Sequence, residues 1–135
     1  MRLEEIVLPS KLRAIGNSAF YSCQKLKTSP LAFPEGLETI GEASFEYCNG
    51  MGEIVLPSTI KIIDEEAFYG SGTEKINLPE GLEKIGSSAF ESCKLTEVTL
   101  PASCKKMGKN LFYGNRQLAT LRFADGIDSI PNAVA

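Results

Sequence analysis

Residues 3–23 read Leu3-Glu4-Glu5-Ile6-Val7-Leu8-Pro9-Ser10-Lys11-Leu12-Arg13-Ala14-Ile15-Gly16-Asn17-Ser18-Ala19-Phe20-Tyr21-Ser22-Cys23. The same order of letters returns down the chain. Pro9, Pro34, Pro57, Pro79 and Pro101 follow one another at 25, 23, 22 and 22 residues, and Phe20, Phe45, Phe68, Phe90 and Phe112 keep the same beat. A fixed period in this range is the signature of a stacked solenoid, in which no unit buries its apolar face alone. The pattern predicts one domain over residues 1–135, built from about six repeats of 22–25 residues. Length varies mainly after the cysteine position, as around Thr28-Ser29-Pro30, which marks an edge loop.

One turn can be read physically. Ile6-Val7-Leu8 and its equivalents alternate with period two, so the outer pair faces in and the middle residue faces out. This predicts a short strand, ended by the proline that follows it. Stacked units would align these strands into one parallel sheet. The next stretch, Leu-x-x-Ile, is either irregular or a second short strand. Gly-x-x-Ala-Phe-x-x-Cys is expected to form a one-turn helix or 3₁₀ piece on the opposite side. Gly16, Gly41, Asp64, Gly86 and Gly108 would precede it as N-caps or as positive-φ residues. Pro131 fills this slot in the sixth unit and cannot take positive φ, so either that unit departs from the pattern or the N-cap is the better reading. The five phenylalanines should stack as a buried aromatic column.

Composition narrows the chemistry. The chain has no histidine, so the commonest general base and metal ligand is missing. No nucleophile–base motif stands out, and no Cys-x-x-Cys spacing suggests zinc. We therefore expect no enzyme, no cofactor and no metal. The net charge of −3 gives a nucleic-acid partner no electrostatic support. No apolar run is long enough to cross a membrane. Cys23, Cys48 and Cys93 share one slot with Ser71 and Asn115, and Cys104 falls in a core slot. All four are expected as buried thiols, with a Cys23–Cys48 disulfide as the alternative.

What remains for function is the set of outward positions. Two columns flank the inward isoleucine of the first strand. One reads Glu5, Pro30, Glu53, Lys75, Glu97, Thr120, and the next reads Val7, Ala32, Val55, Asn77, Thr99, Arg122. Neither holds an aromatic anchor of the kind that dominates tight interfaces. After the phenylalanine a third column reads Tyr21, Glu46, Tyr69, Glu91, Tyr113, with Tyr47 next to it. Tyrosine offers rigid amphipathic area, so this column is the favoured binding face. Glu5, Val7, Glu53, Val55, Lys75, Asn77, Glu97, Thr99 and Arg122 form the sheet-face candidate.

Leu-Pro, Ile-Gly, Ala-Phe and Cys at these offsets resemble the BspA-type leucine-rich repeat of bacterial surface proteins. The match spans residues 3–134, with departures at Ser44, Asp64, Leu111 and Ala124. The resemblance implies a right-handed α/β leucine-rich repeat coil. It also implies a non-enzymatic, protein-binding or adhesive role, a host-matrix or cell-surface partner, and exposure on or outside a bacterial cell. A structural spacer, or an accessory domain of a surface protein or secreted enzyme, is the competing reading. The sequence carries no signal-peptide pattern and no evident caps. It is therefore expected to be part of a longer array, and its open ends leave self-association as a further expectation.

Overall fold

In the computed structural model, which describes residues 2–135, the chain winds as a parallel β-solenoid of about five turns. Each inner turn contributes two short strands, so the Leu-x-x-Ile stretch is a second strand and not irregular. The Leu-x-x-Ile stretches supply β1 (Ala14–Ile15), β3 (Thr39–Ile40), β5 (Ile62–Ile63), β7 (Lys84–Ile85) and β9 (Lys106–Met107), a five-stranded sheet in that order. Its register sets Ile15 beside Ile40, Ile40 beside Ile63, Ile63 beside Ile85, and Ile85 beside Met107.

The Ile-x-Leu stretches supply the other row. It consists of β2 (Leu31–Ala32), β4 (Glu53–Val55) and β6 (Lys75–Ile76), then β8 (Glu97–Leu100) and β10 (Thr120–Phe123). This row is divided into a three-stranded and a two-stranded sheet, not the single sheet expected. Ile6-Val7-Leu8, expected as its first member, is not in a strand. The period-three ambiguity of Leu-x-x-Ile has a simple resolution. The proline that ends each first strand also opens a turn, and the leucine position closes it. Leu12 N–H donates to Pro9 O, Leu37 to Pro34, Ile60 to Pro57, Leu82 to Pro79 and Cys104 to Pro101, each at 3.2 Å.

The third side corrects the helical expectation, because no helix exists among the described residues. Two left-handed residues per unit forbid one: Ser18 and Ser22, Ala43 and Tyr47, Glu66 and Gly70, Ser88 and Ser92, Asn110 and Gly114. Successive N–H groups instead alternate between two kinds of partner. Ala19, Tyr21 and Cys23 donate three residues back, to Gly16, Ser18 and Phe20. Ser18, Phe20 and Ser22 donate across to Glu42, Ser44 and Glu46 on the next turn, at 2.7–2.8 Å. The alternation repeats along the stack, so this side is a ladder of linked tight turns.

The glycine before this segment serves neither of the purposes expected of it. Gly16, Gly41, Gly86 and Gly108 are not left-handed, and no helix follows for them to cap. Gly41, Gly86 and Gly108 are small because the preceding turn lies against them. A Cβ on Gly86 would stand 2.4 Å from Glu65 N and 2.7 Å from Asp64 C, whereas one on Gly16 would meet nothing within 4 Å.

The core runs the length of the coil. Phe45, Phe68 and Phe90 are fully buried, and their rings stack nearly parallel at 5.3 and 5.4 Å. Phe20 and Phe112 extend the column at 5.2 and 6.1 Å. The four cysteines are buried thiols, not disulfides. Cys48 Sγ donates to Phe20 O and Cys93 Sγ to Phe68 O, both at 3.0 Å, and the Asn115 amide reaches Phe90 O at 2.8 Å. Burial pushes the Cys48 thiol up to about 12 and the Cys104 thiol up to about 11. Outside the core, the Pro-Glu-Gly turns fasten each second unit to its successor. The Glu35 carboxylate accepts from Ser58 N–H and Oγ, and the Glu80 carboxylate accepts from the N–H groups of Ala102 and Ser103.

Three substitutions check this architecture. Phe68→Ala, at the middle of the column, should cost about 3–5 kcal/mol in denaturant melts. Gly86→Ala should cost about 1–3 kcal/mol through forced overlap. Gly16→Ala should stay within about 1 kcal/mol of wild type, since nothing there opposes the methyl and the unfolded chain loses freedom.

Candidate protein-binding surface

Glu53, Val55, Lys75, Glu97, Thr99 and Arg122 lie in paired strands, Glu5 and Val7 do not, and the charges of the paired residues are largely engaged with one another. Glu53 stands beside Lys75 in the ladder, and the Lys75 Nζ is 3.9 Å from its carboxylate. Arg122 Nη1 lies 3.1 Å from Glu97 Oε2 on the neighbouring turn. Asn77 turns back to the backbone: its Oδ1 accepts from Leu56 N–H at 2.7 Å and its Nδ2 donates to Leu56 O at 2.9 Å. Glu5, Thr99 and the apolar Val7 and Val55 are exposed. Lys75 and Glu97 line an open depression of about 630 Å³ with Glu74, Lys94, Thr96 and Gln117. Pairs exposed to this degree contribute little to stability, but they leave few charges on this face without a counter-charge.

The tyrosine side is organised differently from its column of letters. Tyr21 and Tyr69 do not meet across Glu46. Tyr47 stands between them, with ring centroids 6.0 Å from Tyr21 and 5.6 Å from Tyr69 at interplanar angles of 73° and 89°. Such edge-to-face contacts suit the aromatic quadrupole. Tyr21 and Tyr47 remain 49% and 38% exposed, so the three rings form a surface ridge. Tyr113 is 63% exposed and makes no ring contact with the other three; half-buried Glu91 lies on the turn before it.

Tyr47 is the residue that column reading underrated. It is left-handed, with φ of 61°, in a slot that Ser22, Gly70, Ser92 and Gly114 fill in the other units. A large side chain there is strained, and the Tyr47 N–H to Tyr69 O bond at 2.8 Å helps hold it. Room for the ring comes from the next turn, where a Cβ on Gly70 would lie 3.0 Å from Tyr47 Cδ1. The signal was present in the sequence as one aromatic among four small residues.

Glu46, expected at the surface, is only 9% exposed. Among the described residues no hydrogen bond or ion pair engages its carboxylate. Burial, and then the negative charge of Glu66, raise its pKa above the usual carboxylate value. The Tyr47 hydroxyl is likewise raised, by burial first and then by Glu46. A raised acid binds more protons folded than unfolded, so stability falls as pH climbs through the titration of Glu46. Glu46→Gln should therefore melt at or above the wild-type temperature at pH 7. That margin should disappear below the ordinary value of 4.5, in thermal melts followed by circular dichroism at both ends.

Comparison with known proteins accords with this architecture. The model of the BspA type leucine rich repeat region matches residues 1–119 in six copies. No curated protein sequence gives a match. A leucine-rich repeat protein of Bacteroides ovatus superposes with a TM-score of 0.81 at 27% identity, covering 88% of this chain and 33% of its own. The leucine rich repeat protein of T. pallidum gives 0.76 at 26% identity, covering 96% of this chain and 79% of its own. A leucine rich cell surface protein of Faecalibacterium prausnitzii, at 18% identity and a TM-score of 0.55, shares the fold over 90% of this chain and 55% of its own. The chain thus spans about a third of the Bacteroides protein. The repeat fold is typically a non-catalytic scaffold for protein–protein interaction, and among the described residues no helix could cross a membrane. With six copies of the repeat matched across most of its length, the chain belongs to the BspA-type leucine-rich repeat family.

Proposed function

We propose that this chain is a non-enzymatic protein-binding module of a bacterial cell-surface or secreted protein, and that it serves adhesion to a host-matrix or cell-surface partner. The observation that carries this reading is Tyr47. A tyrosine occupies a left-handed slot otherwise given to serine and glycine, over a glycine that clears its ring, between two further tyrosines. Strained residues persist where the surroundings hold them, and they gather at functional sites. Core packing gives no reason for this one, because the ring is 38% exposed. The ridge of Tyr21, Tyr47 and Tyr69 is the proposed contact face, with Glu46, Glu91 and Tyr113 along its flank. The sheet face ranks second, since its charges are already matched within the coil.

A spacer would need no such ridge, and the two readings part in one experiment. The 135-residue chain is immobilised and exposed to a panel of purified extracellular-matrix proteins by surface plasmon resonance. The module should bind at least one of them saturably. The Tyr21→Ser/Tyr47→Ser/Tyr69→Ser variant should keep its thermal melt and bind at least about tenfold more weakly, as loss of aromatic anchors requires. If no panel member binds, the spacer reading is favoured. Binding that survives in the variant would move the contact face elsewhere.

A further inference from the structure

We propose that Asn49 is a site of spontaneous covalent modification: the Asn49–Gly50 pair closes to a succinimide and reopens as aspartate or isoaspartate, and the conversion loosens the tyrosine ridge. The chain has six asparagines, and Asn49 alone is followed by glycine. Glycine sets no side chain in the way of ring closure and leaves the backbone free to adopt its angles. Both residues are exposed, and the Gly50 N–H meets no acceptor among the described residues, so the attacking nitrogen is available. The stack also requires this glycine, because a Cβ there would collide with Leu26 O. Four of the other asparagines are guarded. Ser18 N–H, after Asn17, donates to Glu42 O at 2.7 Å, and Leu111 N–H, after Asn110, donates to Val134 O at 2.9 Å. Asn77 and Asn115 have both ends of their amides hydrogen-bonded.

The reaction needs only water and hydroxide. The Gly50 nitrogen gives its proton to hydroxide and bonds to Asn49 Cγ. The Cγ–Nδ2 bond breaks, and ammonia leaves with a proton taken from water. One water then opens the ring at either carbonyl. Opening at Cγ restores the backbone and leaves aspartate; opening at the main-chain carbon leaves isoaspartate, with an extra methylene in the chain. Nothing is oxidised or reduced, and the chain ends one charge more negative than its formal −3.

The conversion matters because of what the amide holds. Its two neighbours, Gly70 O and Tyr47 O, are both acceptors, so the nitrogen and not the oxygen faces them. Nδ2 donates to Gly70 O at 2.9 Å and to Tyr47 O at 3.1 Å. Asn49 thereby ties left-handed Tyr47 to the glycine that clears its ring. Aspartate sets an acceptor-only oxygen against those carbonyls, and isoaspartate moves the group away along a longer backbone. Either product loses both bonds at a strained residue, and Tyr47 is the ring that joins Tyr21 to Tyr69. This holds whatever the ridge contacts.

The chain is held folded in mildly alkaline buffer and mapped by peptide mass spectrometry. Asn49 should convert first of the six, giving aspartyl and isoaspartyl products. Near-ultraviolet circular dichroism reads the ridge, since the chain has no tryptophan and three of its four tyrosines lie there. The converted chain, separated by anion exchange, and Asn49→Asp should each lose ellipticity in the tyrosine band and melt at least about 3 °C below wild type. Asn17→Asp adds the same charge but keeps its contact, because Asn17 Oδ1 already acts as an acceptor, from Glu42 N–H at 2.9 Å. It should melt within about 1 °C of wild type. Conversion of another asparagine ahead of Asn49, or none at Asn49 in the folded chain, would overturn the site. A converted chain with the ellipticity and melt of wild type, or equal losses in Asn17→Asp, would overturn the effect on the ridge.

Discussion

The structure depends on how closely successive turns approach along the Gly-to-Cys segment. In the first four of these segments three N–H groups cross to the next turn at 2.7–3.1 Å, and the intervening N–H groups close tight turns locally. Only a backbone that turns left-handed every fourth residue can do both. Each non-glycine left-handed residue costs on the order of 1–2 kcal/mol, and the crossing bonds offset that cost by leaving few buried donors unmet. From this one approach follow the small residues at the left-handed slots, the glycine that touches the preceding backbone, and the single register in which phenylalanine can stack.

Side chains complete what the backbone leaves open. The carbonyls of Phe20, Phe68 and Phe90 each take a side-chain donor from the slot three residues on in the following unit, and those of Phe20 and Phe68 also accept a backbone N–H within their own turn. A thiol supplies it at Cys48 and Cys93, and an amide supplies it at Asn115. Ser71 is shorter and bonds Thr73 and Cys93 instead. This explains why cysteine, asparagine and serine share the slot without sharing chemistry. Along another edge, Glu35 and Glu80 cap the turns of the units that follow them. The coil is therefore a series of paired units as well as single ones.

Much of this was legible in the sequence, where the physics is periodic. Proline spacing gave the turn length, alternation gave the first strand, and a phenylalanine every turn gave the stack. The Gly-x-x-Ala-Phe-x-x-Cys segment was not legible, because helix-compatible letters carry no mark of a left-handed turn. Serine at position 18 or 88 reads as an ordinary polar residue until neighbouring turns compete for its N–H. The glycines misled for the same reason: what forbids a Cβ at Gly86 is backbone contributed 21–22 residues earlier. For the site, the column of letters brought Tyr21 and Tyr69 together but placed Glu46 between them. Side-chain direction at a left-handed residue instead put Tyr47 there, and Glu46 is buried.

The thiols of the core bear on where such a coil can reside. A cysteine attacks or is attacked as its thiolate, and Cys48, at about 12, forms almost none at neutral pH. Its hydrogen is committed to a carbonyl, and its sulfur is shut away between turns. An oxidising medium such as a periplasm or an extracellular fluid would ordinarily draw odd sulfhydryls into mixed disulfides. A thiol seated as Cys48 is would react slowly there. The repeat can then be multiplied without adding a pairing problem at each copy, a freedom denied to the small secreted domains that are held together by disulfide bridges.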